Sequence, residues 1–378
     1  MATIEAYETK AGKRYRVRYR TPDRRSTDKR GFTSKRAAED WAAANTVAMN
    51  TGTWRPPAAG KITVNEAAQA WLNAKTPTVS PKTVTAYEQA VHRIETIGTI
   101  GRVRLTDVDH EVVEQWIIDL SRHTVRGGAA MSPKTIRNTF SVLSGVMKRA
   151  VRDKRIPSNP CEGVKLPKIP EGEQIILTPA EVATMAQAAG DYGDHVNALA
   201  MAGFRWGELA GLQVQDVDLE ARRLRVNRQI TENKGRLLKG PPKHDKRRTV
   251  PIMEPLADIL RPRLQGKERD ALVFPTTNGR PMRPGNARRD WFDAAAEVSG
   301  HPDLTPHDLR HTFASVAISA GANVKALQQA LGHHSAAFTL DQYGHLFPDD
   351  LDSFVNTMSA RFTGECGQNV GTDENQGR

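Results

Sequence analysis

The chain has 378 residues, 38% of them hydrophobic, with a mean hydropathy of -0.54, a formal net charge of +11 and a pI of about 9.7. That length predicts roughly two to three domains at about 150 residues each, and the lack of any run of about 18 apolar residues excludes a membrane-spanning helix. Two cysteines, Cys161 and Cys366, exclude a disulfide framework and a cysteine-based metal site, while the basic balance favours a polyanionic partner through phosphate neutralisation and counterion release.

Residues 1–5 lack the basic-then-apolar pattern of a signal peptide, so a reducing cytoplasm is the expected compartment. The positive charge is concentrated at this end: residues 1–60 hold 13 Lys and Arg against 6 Asp and Glu. Over residues 3–20, Ile4, Ala6, Tyr15, Val17 and Tyr19 interleave with Lys13, Arg14, Arg16, Arg18 and Arg20. Alternation with aromatic and β-branched residues predicts strands. Thr21-Pro22-Asp23 marks a turn, residues 27–32 a third strand, and Ser34 caps an Ala-rich helix running to about Asn50.

After a linker with Pro56, Pro57 and Gly60, residues 62–155 read as helical. Thr63 with Glu66 three residues on is a capping box. Ser80-Pro81 and Ser132-Pro133 each give an N-cap followed by proline at the first helical position. A further helix is predicted over 106–121. Ile136, Phe140, Leu143, Met147 and Ala150 form a core-facing stripe, opposite Lys134, Arg137, Lys148, Arg149 and Arg152. Residues 156–175, with four prolines, read as an extended linker in which Cys161 lies. Thr178 and Glu181 open a third, mainly helical region with a strand pair or triplet between about 217 and 252. Residues 364–378 have no periodicity and are expected to be disordered.

Three strings in this last region carry chemistry: Gly203-Phe204-Arg205-Trp206-Gly207-Glu208-Leu209, Thr305-Pro306-His307-Asp308-Leu309-Arg310-His311, and the stretch from Leu331-Gly332-His333-His334 to Tyr343-Gly344-His345. Two guanidinium forks suit phosphate oxygens, a histidine near pKa 6.5 suits proton transfer, and a phenol is a nucleophile once deprotonated. Neighbouring cations such as Arg205 and Arg310 are expected to favour that phenolate. In this order the residues resemble the active site of the tyrosine recombinases of the phage-integrase family.

The resemblance implies Tyr343 as nucleophile, Arg205 and Arg310 as phosphate clamps, His307 as proton acceptor or relay, and His333 as a donor to the scissile phosphate. The segment from Lys239 to Ile252 resembles the family's hairpin-lysine segment, with Lys243 the best match for the leaving-group acid and Lys239 and Lys246 as rivals. His333 precedes Tyr343 by ten residues where many members show nine; His334 restores nine, but Leu331-Gly332 anchors His333 better. His311 and His345 are candidate supporting groups. A zinc reading of His307 and His311, at i and i+4, lacks a third ligand at a familiar spacing, and Asp308 is short for the glutamate that such helices use. No metal or other cofactor is expected.

On this resemblance the fold is multidomain and mainly α with small β elements: an arm-type DNA-binding domain over 1–55 (a three-stranded sheet and a helix), a linker over 56–61, a helical core-binding domain over 62–155, a linker over 156–175, a catalytic domain over 176–363, and the tail over 364–378. The implied partners are double-stranded DNA at core and arm attachment sites, a homotetramer, a host DNA-bending protein and a directionality factor. Leu346, Phe347, Leu351, Phe354, Val355 and Met358 form an apolar stripe that could dock on a neighbouring subunit or pack within its own domain. The competing functions are a type IB topoisomerase-like nicking-closing enzyme and a non-catalytic DNA-binding regulator.

Overall fold

The computed structural model describes residues 2–51, 54, 61–124, 127–170, 172, 174–242, 247–346, 355, 358 and 359. The linker over 56–60, Lys243, Lys246, Phe347, Leu351, Phe354, the side chain of His345 and the tail from 364 lie outside the described residues. The chain divides into two units, Met1–Glu171 and Gly172–Arg378. No helix among the described residues is long and apolar enough to cross a membrane.

The first unit opens with three antiparallel strands, β1 (Thr3–Thr9), β2 (Gly12–Arg20) and β3 (Ser26–Phe32), in that order across the sheet. Alternation along β2 sends Val17 and Tyr19 inward, while Arg18 and Arg20 stay exposed. Val17 and Tyr19 form a small core with Ala38 of α1 (Lys35–Asn50), and the Tyr19 and Trp41 rings meet at 5.3 Å. Ser34 caps α1 by accepting the Ala37 N–H.

Four helices follow: α2 (Val64–Lys75), α3 (Pro81–Thr96), α4 (His110–Arg122) and α5 (Pro133–Arg152). The Thr63–Glu66 capping box forms as expected, and Ser80 and Ser132 cap α3 and α5 ahead of their prolines. Trp71, Ile94, Trp116, Leu120, Ile136, Leu143 and Met147 interlock in their core. The helix expected over 106–121 starts later, because Leu105–Asp107 forms a separate 3-10 turn and Asp109 caps α4. The expected linker is also shorter than its prolines suggested. Ile156 and Cys161 are buried in the helical core and Val164 and Leu166 pack against it, so the apolar side chains of that stretch override its composition.

The second unit contains α6 (Pro179–Ala188), α7 (Gly193–Ala202), α8 (Trp206–Ala210), β4 (Val217–Asp218), β5 (Arg223–Val226), β6 (Gln229–Asn233), β7 (Arg236–Gly240), β8 (Arg248–Pro251), α9 (Glu254–Leu264), α10 (Pro284–Ala287), α11 (Asp293–Val298), α12 (Asp308–Ser319), α13 (Val324–Leu331) and α14 (Ala336–Tyr343). Strands β4, β5 and β8 make one antiparallel sheet, and β6 and β7 make a hairpin. Lys234 and Gly235 both have positive φ, which gives the two-residue turn whose twist matches a hairpin. The main core runs from Leu177 to Leu309 and contains Phe204, Phe274 and Phe292. A smaller cluster of Phe313, Ile318, Leu327, Leu331 and Tyr343 seats α12, α13 and α14. Leu346 packs on that cluster, whereas Val355 and Met358 are exposed.

Candidate active site

Helix α7 ends at Gly203, where φ is +60° and a Cβ would fall 2.5 Å from the Phe313 ring. Glycine alone tolerates both conditions. The turn delivers Arg205 to the N-cap of α8. Its backbone N–H donates to Glu208 Oε2 at 2.9 Å and its Nη1 to Glu208 Oε1 at 2.8 Å. Arg248, first residue of β8, donates Nη1 and Nη2 to the same two oxygens at 2.9 and 2.8 Å. Burial alone would raise the Glu208 carboxyl. The Arg248 hydrogen bonds and charge, with Arg205 behind them, outweigh it and hold Glu208 at about 2.

Helix α12 is fixed at its start by Asp308, which accepts the backbone N–H and the hydroxyl of Thr305, both at 2.7 Å. His307 is therefore the N-cap, ahead of the first helical turn. It is exposed where Arg310 is buried. Arg310 donates Nη1 to the Gly203 carbonyl at 2.6 Å and Nη2 to the Leu331 carbonyl. Burial, then the like charge of Arg205, lowers its guanidinium to about 9, which leaves it a cation at neutral pH.

Helices α13 and α14 bring in the imidazole and the phenol. Gly332 ends α13 at φ +65° and lets the chain reverse into His333. His333 is buried; its Nδ1 lies 3.0 Å from Thr339 Oγ1, and its ring is nearly parallel to that of Tyr343 at 6.1 Å. His334 is exposed and leans on Phe338. The ten-residue spacing is thus the one that places an imidazole beside the phenol. Tyr343 is 1% exposed, and its hydroxyl sits 2.8 Å from His311 Nδ1. Arg310 and Arg205 favour the phenolate as expected, but burial outweighs them and pushes the phenol up to about 12, so in the free protein it stays protonated. His333 is lowered to about 3 by burial and then by Arg310 and Arg205. His307 is exposed as a residue, but its ring packs against His311 and is partly withdrawn from water, which lowers it, as do His311 and Arg310. His311 is lowered by burial. All three imidazoles are neutral at pH 7.

Arg205, His307, Arg310, His333 and Tyr343 therefore gather at one place, from α8, α12, the turn after α13 and the end of α14. Lys243 lies outside the described residues, and of its rivals Lys239 is exposed on β7. The proximity of His311 to Tyr343 was legible only as a general candidacy, since two histidines a helical turn apart do not say which one meets the phenol. Arg248 was not singled out; within a run of basic residues its one signal is the strand that begins with it. The His307 and His311 rings touch edge to face at 4.8 Å, with the His311 Nδ1 already taken by the Tyr343 hydroxyl. Among the described residues no group of three His, Cys, Asp or Glu is placed to hold an ion.

Residues 177–349 match the phage integrase family, and residues 63–166 match the phage integrase SAM-like domain. The chain belongs to the phage integrase family. It is a tyrosine-type site-specific DNA recombinase. It is 28% identical to the integrase of Mycobacterium phage L5 over 80% of this chain and 82% of that one. The Tn1549 transposon integrase in complex with a circular intermediate DNA superposes with a TM-score of 0.68 at 23% identity, covering 79% of this chain and 99% of that one. A lambda integrase tetramer bound to a Holliday junction gives a TM-score of 0.57 at 18% identity over 88% of this chain and 96% of that one. These likenesses establish the mainly helical architecture with its small antiparallel sheets.

Proposed function

We propose that this recombinase is the integrase of a temperate phage or an integrated element, and that it joins the element's DNA to a host attachment site. Tyr343 attacks the scissile phosphate, forming a 3′-phosphotyrosyl ester and freeing a 5′ hydroxyl. That hydroxyl attacks the partner duplex's ester, and two such rounds pass through a four-way junction. The ester conserves the bond energy, so the reaction balances without a nucleotide cofactor. The observation that carries this reading is the convergence of Tyr343, Arg205, Arg310, His307 and His333 from four separate elements. Arg205, with a quarter of its side chain exposed, keeps donors beyond the one given to Glu208 and meets a non-bridging oxygen. Neutral His311, in hydrogen-bond reach of the phenol, takes up its proton or passes it to His307. Lys243 protonates the departing 5′ oxygen.

The DNA in the Tn1549 complex and the tetramer in the lambda complex support a homotetramer on paired sites. In this reading residues 1–55 hold arm sites, 62–155 clamp the core site and 176–363 cut it. A host DNA-bending protein and a directionality factor would act through the arm sites, in the bacterial cytoplasm. Two supercoiled plasmids carrying the paired attachment sites test the reading. Fused or exchanged products are expected. Relaxed circles without exchange would mark a nicking-closing enzyme, and bound but unbroken DNA a regulator.

A further inference from the structure

Arg248 takes no part in the steps above, yet all three nitrogens of its guanidinium are engaged. Nη1 and Nη2 hold the two oxygens of Glu208, and Nε donates to the Ala330 carbonyl at 2.6 Å. The side chain is 5% exposed. Its stem lies so close to Gly332 that a Cβ there would come within 2.9 Å of Arg248 Cδ. Three parts of the site therefore meet on one side chain. Glu208 holds both the backbone and the side chain of Arg205. Ala330 precedes Leu331, whose carbonyl holds Arg310. Gly332 precedes His333, whose main chain is bracketed by Gln328: the His333 N–H donates to the Gln328 carbonyl at 3.1 Å, and Gln328 Nε2 donates to the His333 carbonyl at 2.9 Å.

Strand pairing fixes where this side chain starts, since Arg248 is in register with Val226 of β5. A planar fork is what the arrangement requires. It spans a carboxylate with two parallel bonds and keeps a third donor for a carbonyl on another element. A lysine would supply the charge but not the three directions.

Resting on the recombinase reading, we infer that Arg248 is a positioning residue for strand cleavage: by bridging Glu208 to the Ala330 carbonyl it holds the Arg205 clamp and the His333 turn in one register around the scissile phosphate. The alternative is a side chain that merely neutralises a buried carboxylate. Arg248→Lys separates the two, because it keeps the charge and loses the fork.

The experiment uses the full-length chain and two nicked core-site duplexes recovered from integration junctions, one with the ordinary scissile phosphodiester and one with a methylphosphonate at that position. Arg248→Lys is expected to bind the phosphodiester duplex as wild type does, and to form the covalent adduct about a hundredfold more slowly, the usual scale for a misplaced donor at a developing charge. On the methylphosphonate, which has no anionic non-bridging oxygen, the deficit relative to wild type should shrink to a few-fold, because the arginine clamp has less charge to meet. Wild-type rates on the phosphodiester would overturn the inference, and so would an equal deficit on both substrates, the mark of general damage. The double variant Glu208→Gln/Arg248→Gln removes this buried pair together, leaves only the partly exposed Arg205 without its carboxylate partner, and repeats the comparison; the same outcomes decide it. Wild-type protein that binds the duplex and forms no adduct would remove the recombinase reading itself, and the inference with it.

Discussion

Glu208→Gln tests how the site is held together. Glu208 is fully buried between Arg205 and Arg248, and its carboxyl is drawn from an ordinary 4.5 to about 2. A shift of that size corresponds to about 3 kcal/mol of folding stability. Breaking one partner of a buried pair costs about 3–5 kcal/mol in general, and glutamine, which still accepts a hydrogen bond, belongs at the lower end. For a unit of this size each kcal/mol moves the melting temperature by roughly 2–4 °C, so the Gly172–Arg378 transition is expected to fall by roughly 6–12 °C at pH 7. The depressed carboxylate contributes fully above its unfolded pKa of 4.5, and the contribution disappears as pH falls through about 2. The gap between wild type and variant should therefore narrow steadily below about pH 4.5. Calorimetry of the full-length chain from pH 7 to pH 3 measures both quantities. A melting temperature within about a degree of wild type at pH 7, or a gap that does not narrow between about pH 4.5 and pH 3, would refute the placement of Glu208 between two arginines.

Gly203→Ala should destabilise the same unit by about 2–4 kcal/mol, combining left-handed backbone strain with overlap of the Phe313 ring; chemical denaturation measures it, and a neutral effect would contradict the turn geometry. His333 and His195, lowered to about 3 and about 4, chiefly by burial, are neutral when folded and bind protons when unfolded. Their stability share is intact above about pH 6.5 and declines as pH falls toward those values, and NMR titration that finds either ring protonated at pH 6 would contradict it. Deleting residues 1–55 should weaken binding at distal arm sites and spare cleavage at the core, as gel-shift and cleavage assays on separate arm and core duplexes would reveal; unchanged arm-site affinity would remove the role given to the basic sheet.

The parts of this molecule that were legible in its sequence are those set by neighbours in the chain. Ser34, Thr63, Ser80, Ser132 and Thr178 cap helices from their own side chains, and alternation along residues 12–20 fixes which face of β2 is buried. The candidate residues were found through ordered motifs, which say nothing of distance. The junction of Glu208, Arg248 and Ala330 was illegible because it joins residues 40 and 82 positions apart through strand pairing and helix packing. The choice between His333 and His334 turned on which side chain the reversal at Gly332 buries. The segment from Ile156 to Leu166 misled because proline content suggests extension, whereas a few apolar side chains suffice to dock it on the helices.

The central claim is that Tyr343 is the nucleophile of a transesterification. A suicide duplex nicked next to the crossover, incubated with the full-length chain in EDTA and analysed by peptide mass spectrometry, tests it most directly. The predicted result is a 3′-phosphotyrosyl adduct on Tyr343, absent from Tyr343→Phe, which should still bind the duplex. An adduct that persists in Tyr343→Phe, or none at all on DNA shown to be specifically bound, would contradict the account.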